Sequence, residues 1–124
     1  MSEPVSDDRF VLVVDDDAVL RKVVRAVLEA DGFRVIEAPD GEEALKLAEE
    51  HRPGVVVLDV MMPGLDGVEV CRRINHDTTR VLMLTALGDV GTETAAMAAG
   101  ARGYLTKPFS SMDLLDRVEA LLRS

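Results

Sequence analysis

Three carboxylates, one hydroxyl and one ammonium group stand at similar places along this chain: Asp15, Asp16, Asp59, Thr85 and Lys107 each close or directly follow a short apolar run. Gathered together, they would suit phosphoryl transfer, a reaction that asks a protein mainly for positioning and charge neutralisation. Two like charges about 4 Å apart repel by roughly 4 kcal/mol at an effective dielectric of 20, and a third carboxylate adds to that cost. One lysine offsets it only in part. A hard divalent cation with oxygen ligands is the natural remedy. Mg²⁺ fits best, with Mn²⁺ as a substitute, because it tolerates few protein ligands and keeps waters and a phosphate oxygen. With that charge balanced, Asp59 is a plausible nucleophile toward phosphorus. Lys107 and the cation would hold the phosphoryl oxygens, and the Thr85 hydroxyl would donate to one of them. Singly, each residue has a plainer use. Aspartates at strand-to-helix junctions often only cap helices, which is the reading for Asp17 and Asp66. A terminal Thr is commonly structural, and Lys before Pro commonly a solvated turn.

Whether the five groups meet depends on the elements that carry them. Five β-rich runs are predicted: Phe10–Val14, Arg34–Ala38, Val55–Leu58, Val81–Leu84 and Gly103–Thr106. The first, third and fourth are nearly continuous apolar runs, as strands buried on both faces require. Arg34–Ala38 and Gly103–Thr106 are more mixed and read as the two edges. Between the strands, Leu20, Val23, Val24, Val27 and Leu28 recur at helical spacing, with Asp17 placed to cap and Gly32 to stop. Asp40–Glu50, Val68–Asn75 and Ser111–Leu122 are the next helices. Asp89 to Ala99 has few bulky anchors and should pack least firmly. Regular alternation of strand and helix predicts an α/β fold, a doubly wound five-stranded parallel sheet of flavodoxin-like order 2-1-3-4-5. In that order strands 1, 3, 4 and 5 are neighbours about 4.8 Å apart, so the five groups converge beyond their carboxyl ends.

Composition narrows the function classes. A chain of 124 residues that is 48% hydrophobic supports one domain, placed at residues 10–122 after a poorly ordered acidic tail over 1–9. Formal net charge is −9 and the longest basic run is Arg72-Arg73, which argues against direct nucleic-acid binding. The single Cys71 excludes an internal disulfide and fits a reducing compartment and a buried helix position. His51 and His76 lie far from the strand ends in sequence, so a zinc site is not expected and both read as ordinary surface residues. No apolar run approaches the ~20 residues that span a bilayer, and the reading is a cytoplasmic protein without a membrane partner.

Four stretches carry a family resemblance: VLVVDDD (Val11–Asp17), VVVLDVMMPGLDG (Val55–Gly67), VLMLTA (Val81–Ala86) and GYLTKPF (Gly103–Phe109). From Phe10 to Leu122 the chain resembles the receiver (CheY-like) domain of two-component response regulators. The resemblance implies that Asp59 is the phosphoacceptor, supplied by a sensor histidine kinase, a phosphotransfer protein or a small donor such as acetyl phosphate. It implies Asp16, Asp59 and the backbone carbonyl of Met61 as direct Mg²⁺ ligands, with Asp15 acting through a water. Thr85 and Tyr104 would be the switch pair: Thr85 moves toward the phosphate and Tyr104 turns inward behind it. Lys107 would bind the phosphate, aimed by a cis bond before Pro108; Pro63 and Gly67 are structural positions. Such a domain is not an enzyme beyond its own phosphorylation and dephosphorylation. It controls an output domain or a target protein through the fourth helix, fifth strand and fifth helix.

Two features refine this. Met61 and Leu87 are apolar where faster-hydrolysing members carry polar or acidic groups, which implies a long-lived aspartyl phosphate. Many DNA-binding members form a phosphorylation-dependent dimer using an acidic pair before the strand 5 aromatic. Here that pair is Arg102 and Gly103, so the usual charge pattern is not carried. Three alternatives are weighed. A haloacid-dehalogenase-like phosphotransferase needs a second Asp two residues after its nucleophile, where Met61 stands. A flavodoxin-type carrier needs a Ser/Thr/Gly-rich loop after strand 1, where three aspartates would repel a flavin phosphate. A phosphorylation-independent interaction module is the third.

Overall fold

Val, Leu and Ile fill the strands because branched side chains pack well on a pleat buried on both faces. A computed structural model describes residues 9–86 and 88–123. The expected tail, Arg9 apart, and Leu87 lie outside the described residues. Ten elements alternate: β1 Phe10–Val14, α1 Ala18–Ala30, β2 Arg34–Ala38, α2 Gly41–His51, β3 Val55–Asp59, α3 Gly67–Arg73, β4 Arg80–Ala86, α4 Val90–Ala98, β5 Gly103–Lys107 and α5 Ser111–Leu122. The strands form one sheet of order β2-β1-β3-β4-β5, and every pairing is parallel. Every residue of β1 and β3 is buried, whereas the edge strands β2 and β5 have exposed or half-buried positions.

The pleat sends alternate residues into two cores. Leu12, Val14, Val56, Leu58, Val81 and Met83 meet Ala44, Val70, Cys71 and Ala96 of α2, α3 and α4. Val11, Val13, Val55, Val57, Leu82 and Leu84 meet Val24, Leu28, Leu114 and Val118 of α1 and α5. Helices therefore cover both faces, the doubly wound arrangement. Asp17, Asp40, Asp66, Asp89 and Ser110 each cap a helix by accepting a backbone N–H. Gly32 takes φ +91°, a left-handed value that suits glycine just past α1. Within α4 only Ala96 is buried, in line with its poor supply of anchors.

Boundaries differ from the sequence reading in two instructive places. Strands β3, β4 and β5 run on to include Asp59, Thr85 and Lys107, because Asp59 still pairs with Leu84 and Lys107 with Ala86. Polar side chains do not interrupt a backbone ladder. Helix α3 stops at Arg73 rather than Asn75. Ile74 is already extended, and Asn75 instead closes a turn whose Asp77 N–H donates to its side-chain oxygen. No described helix is long and apolar enough to cross a membrane.

Candidate functional site

The parallel sheet ends all its strands on one side, and the chemistry-bearing residues collect there. Asp15 and Asp16 leave β1, Asp59 closes β3, and Lys107 closes β5. One carboxylate oxygen from each of Asp15, Asp16 and Asp59 lies within 4.8 Å of the others. Asp15 and Asp59 are buried and Asp16 is exposed. The Lys107 ammonium reaches inward to 3.3 Å from Asp59 Oδ1 and 3.5 Å from Asp15 Oδ2. The Met61 N–H donates to Asp59 Oδ1 at 3.2 Å, and the Asp17 N–H donates to Asp15 Oδ1 at 2.9 Å.

Charge in this pocket is under-neutralised. Burial, and then the neighbouring Asp15 carboxylate, push the Asp59 carboxyl up from its ordinary 3.8 to about 6, against the pull of Lys107 and the Met61 N–H. Three carboxylates facing one ammonium form an all-oxygen donor set with excess negative charge, which fits a hard divalent cation such as Mg²⁺.

Thr85 is 1% exposed, and its Oγ1 is buried with no hydrogen-bond partner among the described residues. An unmade bond at a buried hydroxyl costs on the order of 1–3 kcal/mol, so it calls for an explanation. Thr85 follows Leu84, the residue paired with Asp59. Tyr104 pairs with Met83, two residues before Thr85, and so shares the sheet face of Thr85. Tyr104 is 36% exposed, and its carbonyl accepts a 2.6 Å hydrogen bond from Arg117 Nη1.

The loop after Asp59 is shaped by the remaining sequence-predicted positions. Pro63 precedes Gly64 at φ +78°, a sequence suited to a tight turn. Gly67 opens α3 directly against the sheet: a Cβ there would lie 2.3 Å from the Asp59 carbonyl oxygen and 2.8 Å from Val60 Cα. The Lys107–Pro108 bond is cis. Met61 is 68% exposed and its side chain is apolar, so it offers no second acid beside Asp59.

Sequence reading missed two residues that grip this site from outside. Arg21 on α1 donates through Nη1 to the Asp15 carbonyl at 2.7 Å and through Nε to Glu37 at 2.8 Å. Glu37 on β2 also meets Lys22 and Arg25, and these partners hold its carboxyl down near 2. The mixed composition of β2 was the only hint, because its polar residue faces a helix rather than water. His76 also corrects the reading of an ordinary surface residue. It is half-buried against Gly100, with Nε2 2.7 Å from the Cys71 carbonyl. Cys71 itself is buried, and burial pushes its thiol up to about 11.

Comparison with known proteins agrees with this geometry. Residues 11–119 match the family model for the response regulator receiver domain. The chain is 50% identical over 115 residues to the response regulator MprA of Mycobacterium sp. (strain KMS), covering 91% of this chain and 50% of that protein. It is 44% identical over 120 residues to the transcriptional regulatory protein CseB of Streptomyces coelicolor, covering 96% of this chain and 51% of that one. The chain thus spans about half the length of the curated relatives it matches. Among solved structures, the chemotaxis protein CheY4 of Vibrio cholerae superposes with a TM-score of 0.84 at 34% identity, covering 90% of this chain and 97% of that one. With its strand order, its acidic cluster and nearly its whole length matched, the chain belongs to the response regulator receiver domain family.

Proposed function

We propose that Asp59 accepts a phosphoryl group in a Mg²⁺-dependent reaction and that the modified domain signals through α4, β5 and α5. A carboxylate oxygen of Asp59 bonds to phosphorus as the bond from phosphorus to the donor breaks. The donor is the phosphohistidine of a sensor kinase or phosphotransfer protein, or a small acyl phosphate. When bound, Mg²⁺ supplies charge neutralisation at the phosphoryl oxygens. Asp16, Asp59 and the Met61 carbonyl would be its direct ligands, and Asp15 would act through a water. Lys107 already lies beside Asp59 and binds the incoming group as a point charge. The Thr85 hydroxyl gains the acceptor it lacks, and Tyr104 turns into the space left behind it.

The orphaned Thr85 hydroxyl, one residue past the Leu84 that pairs with Asp59, carries this reading: a phosphoryl oxygen on Asp59 would supply its missing acceptor, while Mg²⁺ would offset the pocket's excess negative charge. Beyond its own phosphorylation and dephosphorylation the domain turns over no substrate. Its output passes to an attached domain or a separate target protein, without direct nucleic-acid contact by this chain. Neither Met61 nor Leu87 carries a polar group that could orient a hydrolytic water, so the aspartyl phosphate is long-lived. The setting is the cytoplasm.

The test is intact-mass measurement after incubation with acetyl phosphate and Mg²⁺, with Asp59→Asn beside the wild type. One phosphoryl adduct on the wild type alone is expected. Adducts on both proteins, or on neither, would overturn the assignment.

A further inference from the structure

Asp16 differs from its two acidic neighbours in how it is held. Asp59 is fixed by Lys107 and the Met61 N–H, and Asp15 by Lys107 and the Asp17 N–H. The Asp16 side chain is exposed and has no hydrogen-bond or ion-pair partner among the described residues. Its carboxylate can be placed only through its backbone.

That backbone is gripped from the other side of the β1–α1 junction. The Asp15 carbonyl and the Asp16 N–H share one rigid peptide plane, so holding the carbonyl sets the direction in which Asp16 leaves the sheet. Arg21 Nη1 donates to that carbonyl at 2.7 Å, while its Nε donates to Glu37 Oε1 at 2.8 Å. The two side chains are only 14% and 11% exposed, and Arg25 Nη1 braces the other Glu37 oxygen at 2.8 Å. A planar guanidinium held in this way has little freedom to swing. The Asp15 N–H contributes only a longer bond to Ala38, at 3.3 Å.

We propose that Arg21, anchored by Glu37, is a positioning residue that sets the Asp15–Asp16 peptide for cation binding. This rests on the Mg²⁺ reading of the pocket given above. Its consequence runs against simple electrostatics. Arg21 is a cation close to a cation site, so by Coulomb's law alone its removal would tighten Mg²⁺ binding. A positioning role demands the opposite sign.

The experiment is calorimetric titration of the folded protein with Mg²⁺ alone, comparing wild type, Arg21→Met, Arg21→Lys and Arg25→Ala. Arg21→Met is expected to bind about tenfold more weakly, the lower end of what loss of a partner behind a metal ligand costs. Arg21→Lys keeps the charge but cannot reach Glu37 and the Asp15 carbonyl in the same two-point grip, and is expected to fall between. Arg25→Ala removes one brace of the same Glu37 but leaves the Arg21 contact to Asp15, and should weaken Mg²⁺ binding by clearly less than Arg21→Met; an equal or larger loss would overturn the specific role of Arg21. Acetyl phosphate labelling of Arg21→Met should return to the wild-type rate at saturating Mg²⁺, since only cation affinity is altered. Unchanged or tighter Mg²⁺ binding by Arg21→Met, with or without a lower Tm, would overturn the proposal while leaving the pocket's function intact. Should Arg21→Met fail to fold, Arg21→Lys binding as wild type does would overturn it equally. A wild type that binds no Mg²⁺ would instead bring down the pocket reading, and this inference with it.

Discussion

Removing the charge of Asp59 should stabilise the protein in the absence of a divalent cation. The Asp59 carboxyl titrates near 6 in the folded state against an ordinary 3.8, chiefly because it is buried and faces Asp15. Between those values the folded state binds more protons than the unfolded state, so stability falls as pH rises from about 4 to about 6. Above that window the charged carboxylate costs the fold about 3 kcal/mol, from a displacement of about two pH units at 1.36 kcal/mol each. Asn is nearly isosteric and keeps an acceptor for the Met61 N–H. Asp59→Asn should therefore raise stability at pH 8 by up to about 3 kcal/mol, a Tm increase on the order of 10 °C. The gain should shrink toward zero near pH 4, where the folded carboxyl is already protonated and the unfolded one is becoming so. Urea unfolding followed by circular dichroism in EDTA, at a series of pH values, measures both the gap and its slope. Millimolar Mg²⁺ should close the gap from the wild-type side, because a ligand that binds only the folded state stabilises it. A variant no more stable than wild type at pH 8, or a gap unchanged between pH 4 and pH 8, would refute the electrostatic account.

Other substitutions probe the same pocket and its supports. Thr85→Val removes an orphaned buried hydroxyl at nearly constant volume, so unfolding should show a gain of about 1 kcal/mol. The same variant should lose the phosphorylation-dependent change in Tyr104 fluorescence. Gly67→Ala forces a Cβ against the Asp59 carbonyl and should destabilise by more than about 2 kcal/mol, read by urea midpoint. Gly91→Ala, in open space on α4, should instead gain roughly 0.5–1 kcal/mol. Replacing Met61 with Asn and Leu87 with Glu should shorten the life of the aspartyl phosphate several-fold by phosphate release, and an unchanged rate would refute the role given to these positions.

Much of this protein was legible in local pattern. Val-rich runs separated by helical stripes specify a parallel sheet with two covered faces, because a strand without a polar face must be buried on both. Asp17 and Asp66 read as helix caps, and both cap through their side-chain oxygens. Asp15, Asp16, Asp59 and Lys107 could be brought together on paper because parallel strands all finish at one edge. What local pattern does not contain is reach across the fold. Arg21 and Glu37 are ordinary polar residues on separate elements until parallel pairing sets β2 beside β1 and α1 packs across them. The half-buried His76 against Gly100 likewise depends on how α3 and α4 pack. The missing partner of Thr85 could not be seen either, since a hydroxyl's satisfaction depends on every neighbour that folding supplies. Periodicity along a chain encodes which face is buried; tertiary packing decides which polar groups meet there, and which are left waiting for a ligand.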